Sequence, residues 1–450
     1  MNLIDSFSDE PKAKILAGAM QPVFAFLPKA LIEAWCRECN HKWRERILGP
    51  VVTLLCCLRK QLAPGTSARD IEDWVASFLE VDDADQRDGH DFCDSRSRLP
   101  EVIFQRACAH VASVASEGAA LTLGGFRVLI VDGTTHRAPR TKPNIEEFGR
   151  GSSGQGLSVL PIVRLVSLIC AGCGAVATQV MGAYRDSELK LFYSMLSDLP
   201  KAGLFIGDSG FNSFLTLWQV QQYGCHAVCM ADPNRRRDRV RQLGYRDELH
   251  CWRRPSKYIS AFPELVDKAP KEMLVRLIKR TVRRRGYQPW ILEICTTLLD
   301  PQKYKADELV ALYLRRWNAE LDYRGLKQYL NLRRLTAKTP EIVQKEILSG
   351  ILAYNIVRAT ASAARAGHQV LEVSFERTRT LLVEYCARMS AAPTTILPLL
   401  FGQLLKLVRQ AKIISQIRPP EPRAIIQHPT CYPFHKVSRQ VWRRQNYAAS

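Results

Sequence analysis

The sequence predicts an α/β fold: a sheet of short apolar strands interleaved with helices, with a helical region on either side. Between Gly124 and Ala231, β-branched apolar runs alternate with helix-like stretches, the pattern of strands and helices layered on one core. Before residue 120 and after residue 301, apolar residues recur in helix-length runs with caps and turns between them. A third feature divides the core. From Pro233 to Pro289 the chain turns basic and reads as strands, which marks a β-rich insertion.

Taken in order, 46–62 is a long apolar run that ends at the turn Pro64-Gly65. Thr66 or Ser67 can cap a helix over 68–79, and Pro100 precedes another over 101–116. These short helices about a tight turn, with Arg59, Lys60 and Arg69 nearby, fit either a helix-turn-helix-like DNA reader or a plain helical bundle. Strand-like runs follow at 126–131, stopping at Asp132-Gly133, and at 157–170 and 175–183, joined by the turn 171–174. A helix over 188–199, a strand over 204–207 ending at Asp208, a helix over 213–222 and a strand over 227–231 complete the first part of the core. The insertion carries a basic run at 235–241, Arg253-Arg254 and 283–285, with strands at 274–282 and 290–299. Helices over 306–330 and 340–364 resume the core, and helical character continues to about 415 before a Pro- and Arg-rich tail. The implied domains are 1–120 (helical, DNA-binding), 121–232 and 301–365 (core), 233–300 (insertion) and 366–450 (C-terminal helices and basic tail).

With 64 Lys and Arg against 44 Asp and Glu, the net charge of +20 favours a polyanionic partner, because each phosphate neutralised releases a counterion. The 14 cysteines are scattered and several lie in apolar runs, as free core thiols of a reducing cytoplasm would. Cys36, Cys39 and His41 have half of a zinc-site spacing and no second half. Met1–Glu10 is polar, Pro22 interrupts 15–27 and Arg164 interrupts the longest apolar stretch, so neither a signal peptide nor a membrane span is expected. No Gly-Lys-Ser/Thr loop suggests ATP.

Asp132 and Asp208 each follow a short apolar strand and precede a glycine-containing turn. Either alone reads better as an ordinary turn or capping aspartate, and the two with the same local pattern leave the readings balanced. Two carboxylates converging at strand ends repel unless a cation lies between them, and hard oxygen donors suit Mg²⁺ or Mn²⁺. On a helix over 306–330, Tyr313, Arg316, Glu320 and Lys327 would fall within about a 60° stripe. Periodicity alone favours a solvated face with an Arg316–Glu320 pair. His136, Arg137 and Arg140 read as DNA contacts or as an ordinary basic loop.

The Tyr-x2-Arg-x3-Glu-x6-Lys spacing resembles that of bacterial cut-and-paste DDE transposases of the insertion-sequence-four type. Further blocks occur in the same order: Ile130-Val-Asp-Gly-Thr134, Pro143-Asn144 with Phe148-Gly149, Gly207-Asp-Ser-Gly-Phe211, Thr296-Thr-Leu-Leu-Asp300 and Tyr313-Leu-Arg-Arg-Trp-Asn-Ala-Glu320. The likeness runs from about 46 to 356; Ser209 departs from it, standing where a basic residue is more usual. The resemblance implies an RNase H-like mixed sheet with Asp132, Asp208 and Glu320 catalytic and holding two Mg²⁺ or Mn²⁺ ions. It further implies DNA contacts through Tyr313, Arg316 and Lys327, and an insertion indole, Trp290 ahead of Trp252, that stacks a flipped base. Terminal inverted repeats and target DNA are the implied partners, with two protomers in the synapse. A metal-dependent nuclease that cuts without joining and an inactive DNA-binding descendant are the alternatives; the complete set of acids argues against the second.

Overall fold

A computed structural model of the chain describes residues 20–413 except 45, 64, 79–88, 154–155, 199–200, 236–237, 255–264, 266, 284–288, 317–331, 333–334 and 367–372. Beyond 413 it describes 437, 440–441 and 444–445. The chain divides into a large compact unit, Met1–Lys279 with Glu293–Ile413, and a small one, Arg280–Leu292 with Ile414–Ser450.

Among the described residues, six helices open the large unit: α1 (Gln21–Phe24), α2 (Lys29–Glu38), α3 (Pro50–Leu62), α4 (Ala68–Ala76), α5 (His90–Arg98) and α6 (Glu101–Ser116). Ser67 caps α4 in a reciprocal box: its Oγ accepts from the Asp70 amide (3.1 Å) and its own amide donates to Asp70 Oδ2 (2.6 Å). α3 is buried along most of its length, so α4 is the member of that pair with an exposed face. α5 is held at both ends by buried charges from elsewhere. Glu72 accepts from the Gly89 and Phe92 amides (both 2.9 Å), while Lys345 Nζ donates to the Ser97 carbonyl (2.8 Å). Each charge has the sign that the helix dipole favours at that end.

Strands β1 (Thr122–Leu123) and β2 (Phe126–Arg137) are joined by Gly124-Gly125, whose φ values of +58° and +89° suit the tight hairpin. After helix α7 (Lys142–Phe148) come β3 (Arg150–Ser153), β4 (Gly156–Cys170) and β5 (Val176–Ala183). Helix α8 (Glu188–Ser194), β6 (Gly203–Gly207), α9 (Phe214–Gln222) and β7 (His226–Met230) follow. The core strands lie in the order β5-β4-β2-β6-β7. β4 is antiparallel to both neighbours, and β2, β6 and β7 are mutually parallel. Counted along the chain this order is 3-2-1-4-5, the RNase H-like arrangement.

β2 does not stop at Asp132. It continues to Arg137 because β4 pairs with it from Leu129 through Arg137, well past the last β2–β6 pair at Ile130. The insertion supplies β8 (Asp238–Gly244), β9 (Asp247–Arg253), β10 (Glu272–Val282) and β11 (Trp290–Thr296). β11 returns antiparallel to β7, so these strands extend the core sheet. Arg276 of β10 is fully buried; its Nε and Nη2 donate to the two oxygens of Asp247 (2.8 and 2.7 Å), and Nη1 donates to the Tyr304 carbonyl (2.7 Å).

The helix expected over 306–330 is interrupted. Helix α10 spans Ala306–Leu314, and the Arg315 amide reaches back only three residues to the Leu312 carbonyl (3.1 Å), which tightens the last turn. Helix α11 (Pro340–Arg365) is the longest described and is mostly buried; α12 (Phe375–Ser390) and α13 (Leu397–Gln410) pack on it. Among the described residues α11 alone is long and apolar enough to cross a membrane, and here it is a core helix. Buried Asn355 fastens it to the sheet: Oδ1 accepts from the Val176 amide (2.9 Å), while Nδ2 donates to the Val176 and Cys108 carbonyls (2.9 and 3.1 Å). Every described cysteine is free, and no group of three or more His, Cys, Asp or Glu side chains is arranged to hold a metal ion among the described residues, around Cys36 or elsewhere.

Arg276→Ala should lower stability by about 3–5 kcal/mol, because it strands Asp247 in the interior, and Arg276→Met with Asp247→Leu should recover most of that loss. Urea unfolding midpoints measure both; a loss within experimental scatter for Arg276→Ala would contradict the buried-pair assignment.

Candidate active site

The site begins with strand register. β2 and β6 run parallel with Ile130 opposite Ile206, so extending the pairing by two positions sets Asp132 beside Asp208. Val128–Val131 and the whole of β6 are buried, so both acids stand on rigid backbone. Each is half-buried and held locally: Asp132 Oδ1 accepts from the Gly133 amide (3.0 Å), and Asp208 Oδ1 accepts from the Gly210 amide (2.8 Å). Burial pushes the Asp132 carboxyl up to about 6; the charges of Asp208 and Glu188 push the same way, against the Gly133 hydrogen bond and the Arg316 guanidinium. A carboxylate this strained by burial and like charge is one that a bound cation would relieve. The two described acids therefore fit a hard divalent ion as part of a ligand set.

Tyr313 and Arg316 come to the same place, and both interact electrostatically with these acids. The Tyr313 side chain is buried, and burial pushes its phenol up to about 12 with Arg316 pulling the other way. It is therefore neutral at ordinary pH and available as a donor. Glu320 and Lys327 lie outside the described residues. The segment that contains them is bounded by Arg316 beside Asp132 and by Leu332, whose carbonyl accepts from His136 Nδ1 (3.0 Å). His136 is buried by this contact, so it is a structural anchor and not part of a basic loop. Just beyond, the Leu335 amide donates to the Arg137 carbonyl (3.3 Å) and Asn144 Nδ2 to the Ala337 carbonyl (3.1 Å).

Three residues, behind the acids or bonded to the chain after the second one, were given no part in the site by the sequence reading. A Cβ added at Gly133 would lie 2.5 Å from Glu188 Cδ, and Glu188 is pinned by Arg164 (Nη1–Oε1 2.9 Å). Successive residues of a strand face opposite sides, so Glu188 lies behind β2, on the other face from the Asp132 side chain. It acts on Asp132 through the field and not as a fellow ligand. The third is Arg235, which follows the second acid's block in space: its Nη2 donates to the Asn212 carbonyl (3.1 Å) and its guanidinium lies 4.3 Å from the ring centre of Trp252. Trp252 is 3% exposed beneath it, which suits a packing role. Trp290, the first residue of β11, belongs to the small unit.

Residues 123–356, just over half of the sequence, match the family described as "Transposase DDE domain". The chain belongs to that family. It is a transposase, and its homologues say the same. It is 25% identical over 316 residues to the transposase InsG for insertion sequence element IS4 of Escherichia coli strain K12, covering 69% of this chain and 70% of that one. It is 31% identical over 104 residues to the putative transposase InsZ of the same strain, covering 23% of this chain and 34% of that one. A cryo-EM structure of the piggyBac transposase synaptic complex with hairpin DNA aligns over 88% of this chain and 86% of that one, at 12% identity and a TM-score of 0.42.

Gly133→Ala in this transposase should lower stability by about 1–3 kcal/mol, since the new methyl meets a carboxylate that Arg164 holds in place. Adding Glu188→Ala should restore most of it, a coupling that a double-mutant cycle in urea measures. Additive losses would show that Glu188 is not the obstacle.

Proposed function

We propose that this transposase cuts DNA at the ends of its own element and joins the freed ends to a target, using Asp132, Asp208 and Glu320 to hold two Mg²⁺ or Mn²⁺ ions. The observation that carries this reading is the placement of Asp132 and Asp208 side by side on parallel strands, with Arg316 and Tyr313 against them. Bound ions would supply the positive charge that an in-line displacement at phosphorus needs on its attacking and leaving oxygens.

The chain's own residues do the rest. Arg316 is a guanidinium already facing carboxylates, and the same fork binds phosphate oxygens, so it clamps the strand beside the scissile bond. Tyr313, a neutral phenol, donates a hydrogen bond to the same backbone. Lys327 completes the clamp, and Trp290 stacks a base at the cut end. The excess of 20 positive charges favours binding along terminal inverted repeats, with 1–120 as the reading domain, and two protomers bring two ends together.

Asp132→Asn, Asp208→Asn and Glu320→Gln should each reduce cleavage of an element-end duplex by roughly a thousandfold or more while duplex binding persists. Calorimetric titration with Mn²⁺ should show loss of high-affinity binding in the same variants, a readout independent of turnover. Normal cleavage by any of them would remove that acid from the site. Lys327→Ala should leave the first nick intact and slow the later steps; an unchanged excision rate would reassign Lys327 to the solvated face. Cleavage without any joined product would replace the transposition reading with a nuclease.

A further inference from the structure

The cations of 41–46 and the end of α5 line a cavity of about 320 Å³ that the reaction above does not use. None of its lining residues comes from β2, β6 or α10. Four cations, Lys42, Arg44, Arg46 and Arg98, surround it, and none of the described lining residues is acidic. Two aromatic rings belong to it as well. His41 and Trp43 lie near-parallel, 20° apart in plane with centroids separated by 6.1 Å. Its buried side is formed by Leu48, Leu99 and the hydroxyl residues Thr53 and Ser95. Behind it, Lys345 Nζ fixes the Ser97 carbonyl at the end of α5, so Arg98 projects from a secured turn. Burial, followed by the nearby Lys345 and Arg98, holds the His41 imidazole below its usual range, so the ring is neutral and serves as a flat surface and not as a fifth cation.

Guanidinium and ammonium groups around flat rings match one chemistry: a phosphate attached to an exposed nucleobase. An acidic peptide would satisfy the cations and leave the rings unused. A base within an intact duplex cannot reach the rings, because both its faces are already stacked. We propose that this cavity takes an unpaired nucleotide of a DNA strand, with its phosphate on Arg44, Arg46 and Arg98 and its base on Trp43. The inference rests on the end-cutting reading above, since a transposase that handles element ends meets unpaired nucleotides there. It assigns the N-terminal helical region a contact additional to any groove reading by α4.

The test uses the full chain and two fluorescent duplexes of the element end, one blunt and one with a three-nucleotide 5′ overhang, read by anisotropy across a salt series. Wild type should bind the overhang duplex roughly tenfold more tightly, the scale of stacking one base on an aromatic ring. Trp43→Ala should lose that advantage with blunt-duplex affinity unchanged, and Trp43→Phe should restore much of it. Arg98→Gln should reduce the salt slope for the overhang duplex by about one counterion. An overhang advantage that persists in Trp43→Ala would overturn the proposal, as would displacement of the oligonucleotide by polyglutamate as readily as by single-stranded DNA. The two readings fail separately. If Mg²⁺-dependent cleavage of the blunt duplex proceeds and the overhang gives no Trp43-dependent advantage, the cavity assignment falls and the end-cutting reading stands. If the wild type neither binds nor cleaves either duplex, both fall.

Discussion

The parallel pairing of β2 with β6 is the constraint on which the site depends. Parallel strands place residues of equal rank at equal height, so two acids that are 76 positions apart in sequence become neighbours without any contact between their side chains. Antiparallel pairing at that position would send one of them to the opposite end of the sheet. The chain between β2 and β6 holds α7, β3, β4, β5 and α8, and this same excursion delivers Arg164 and Glu188 to the back of β2. The local potential at Asp132 is thus set from both faces of one strand: a carboxylate behind, a carboxylate beside and a guanidinium in front.

The helical shell is bound to this sheet by polar groups that have few other options. Asn355 meets three backbone groups in a buried place, so α11 can neither slide along nor rotate on β5 without orphaning them. Lys345 and Glu346, from the same helix, reach outward to the Ser97 carbonyl and to the Thr336 and Ala337 amides. One helix therefore fixes the end of α5 and the chain that returns from the Glu320 segment. This explains why charged residues are tolerated inside an otherwise apolar 26-residue helix.

Much of the core was legible because its signals are local. Asp132 and Asp208 stand out because short apolar runs end beside them, and Thr66 and Ser67 stand out as alternative caps, between which the box with Asp70 decides for Ser67. What was not legible depends on partners remote in sequence. The length of β2 beyond Asp132 is decided by β4, and the burial of His136 by the Leu332 carbonyl almost two hundred residues away. The break at Arg315 has no glycine or proline to announce it. Glu188 reads as the first residue of an ordinary helix capped by Ser187, and only the closeness of Gly133 reveals its place. The cavity at Trp43 draws on two chain segments, so no single window contains it.

The insertion leaves the core at the end of β7 and comes back antiparallel on that same strand, with the Ala231 amide donating to the Glu293 carbonyl (2.9 Å). Departure and return thus share one hydrogen bond, and the intervening chain is topologically a loop whose mouth is already closed. Lengthening such a loop carries only a slowly rising entropic penalty and transmits no strain to its base. The insertion is therefore a replaceable module: relatives could enlarge it, shorten it or exchange it for another element while the spacing of the acids stayed as the sheet sets it.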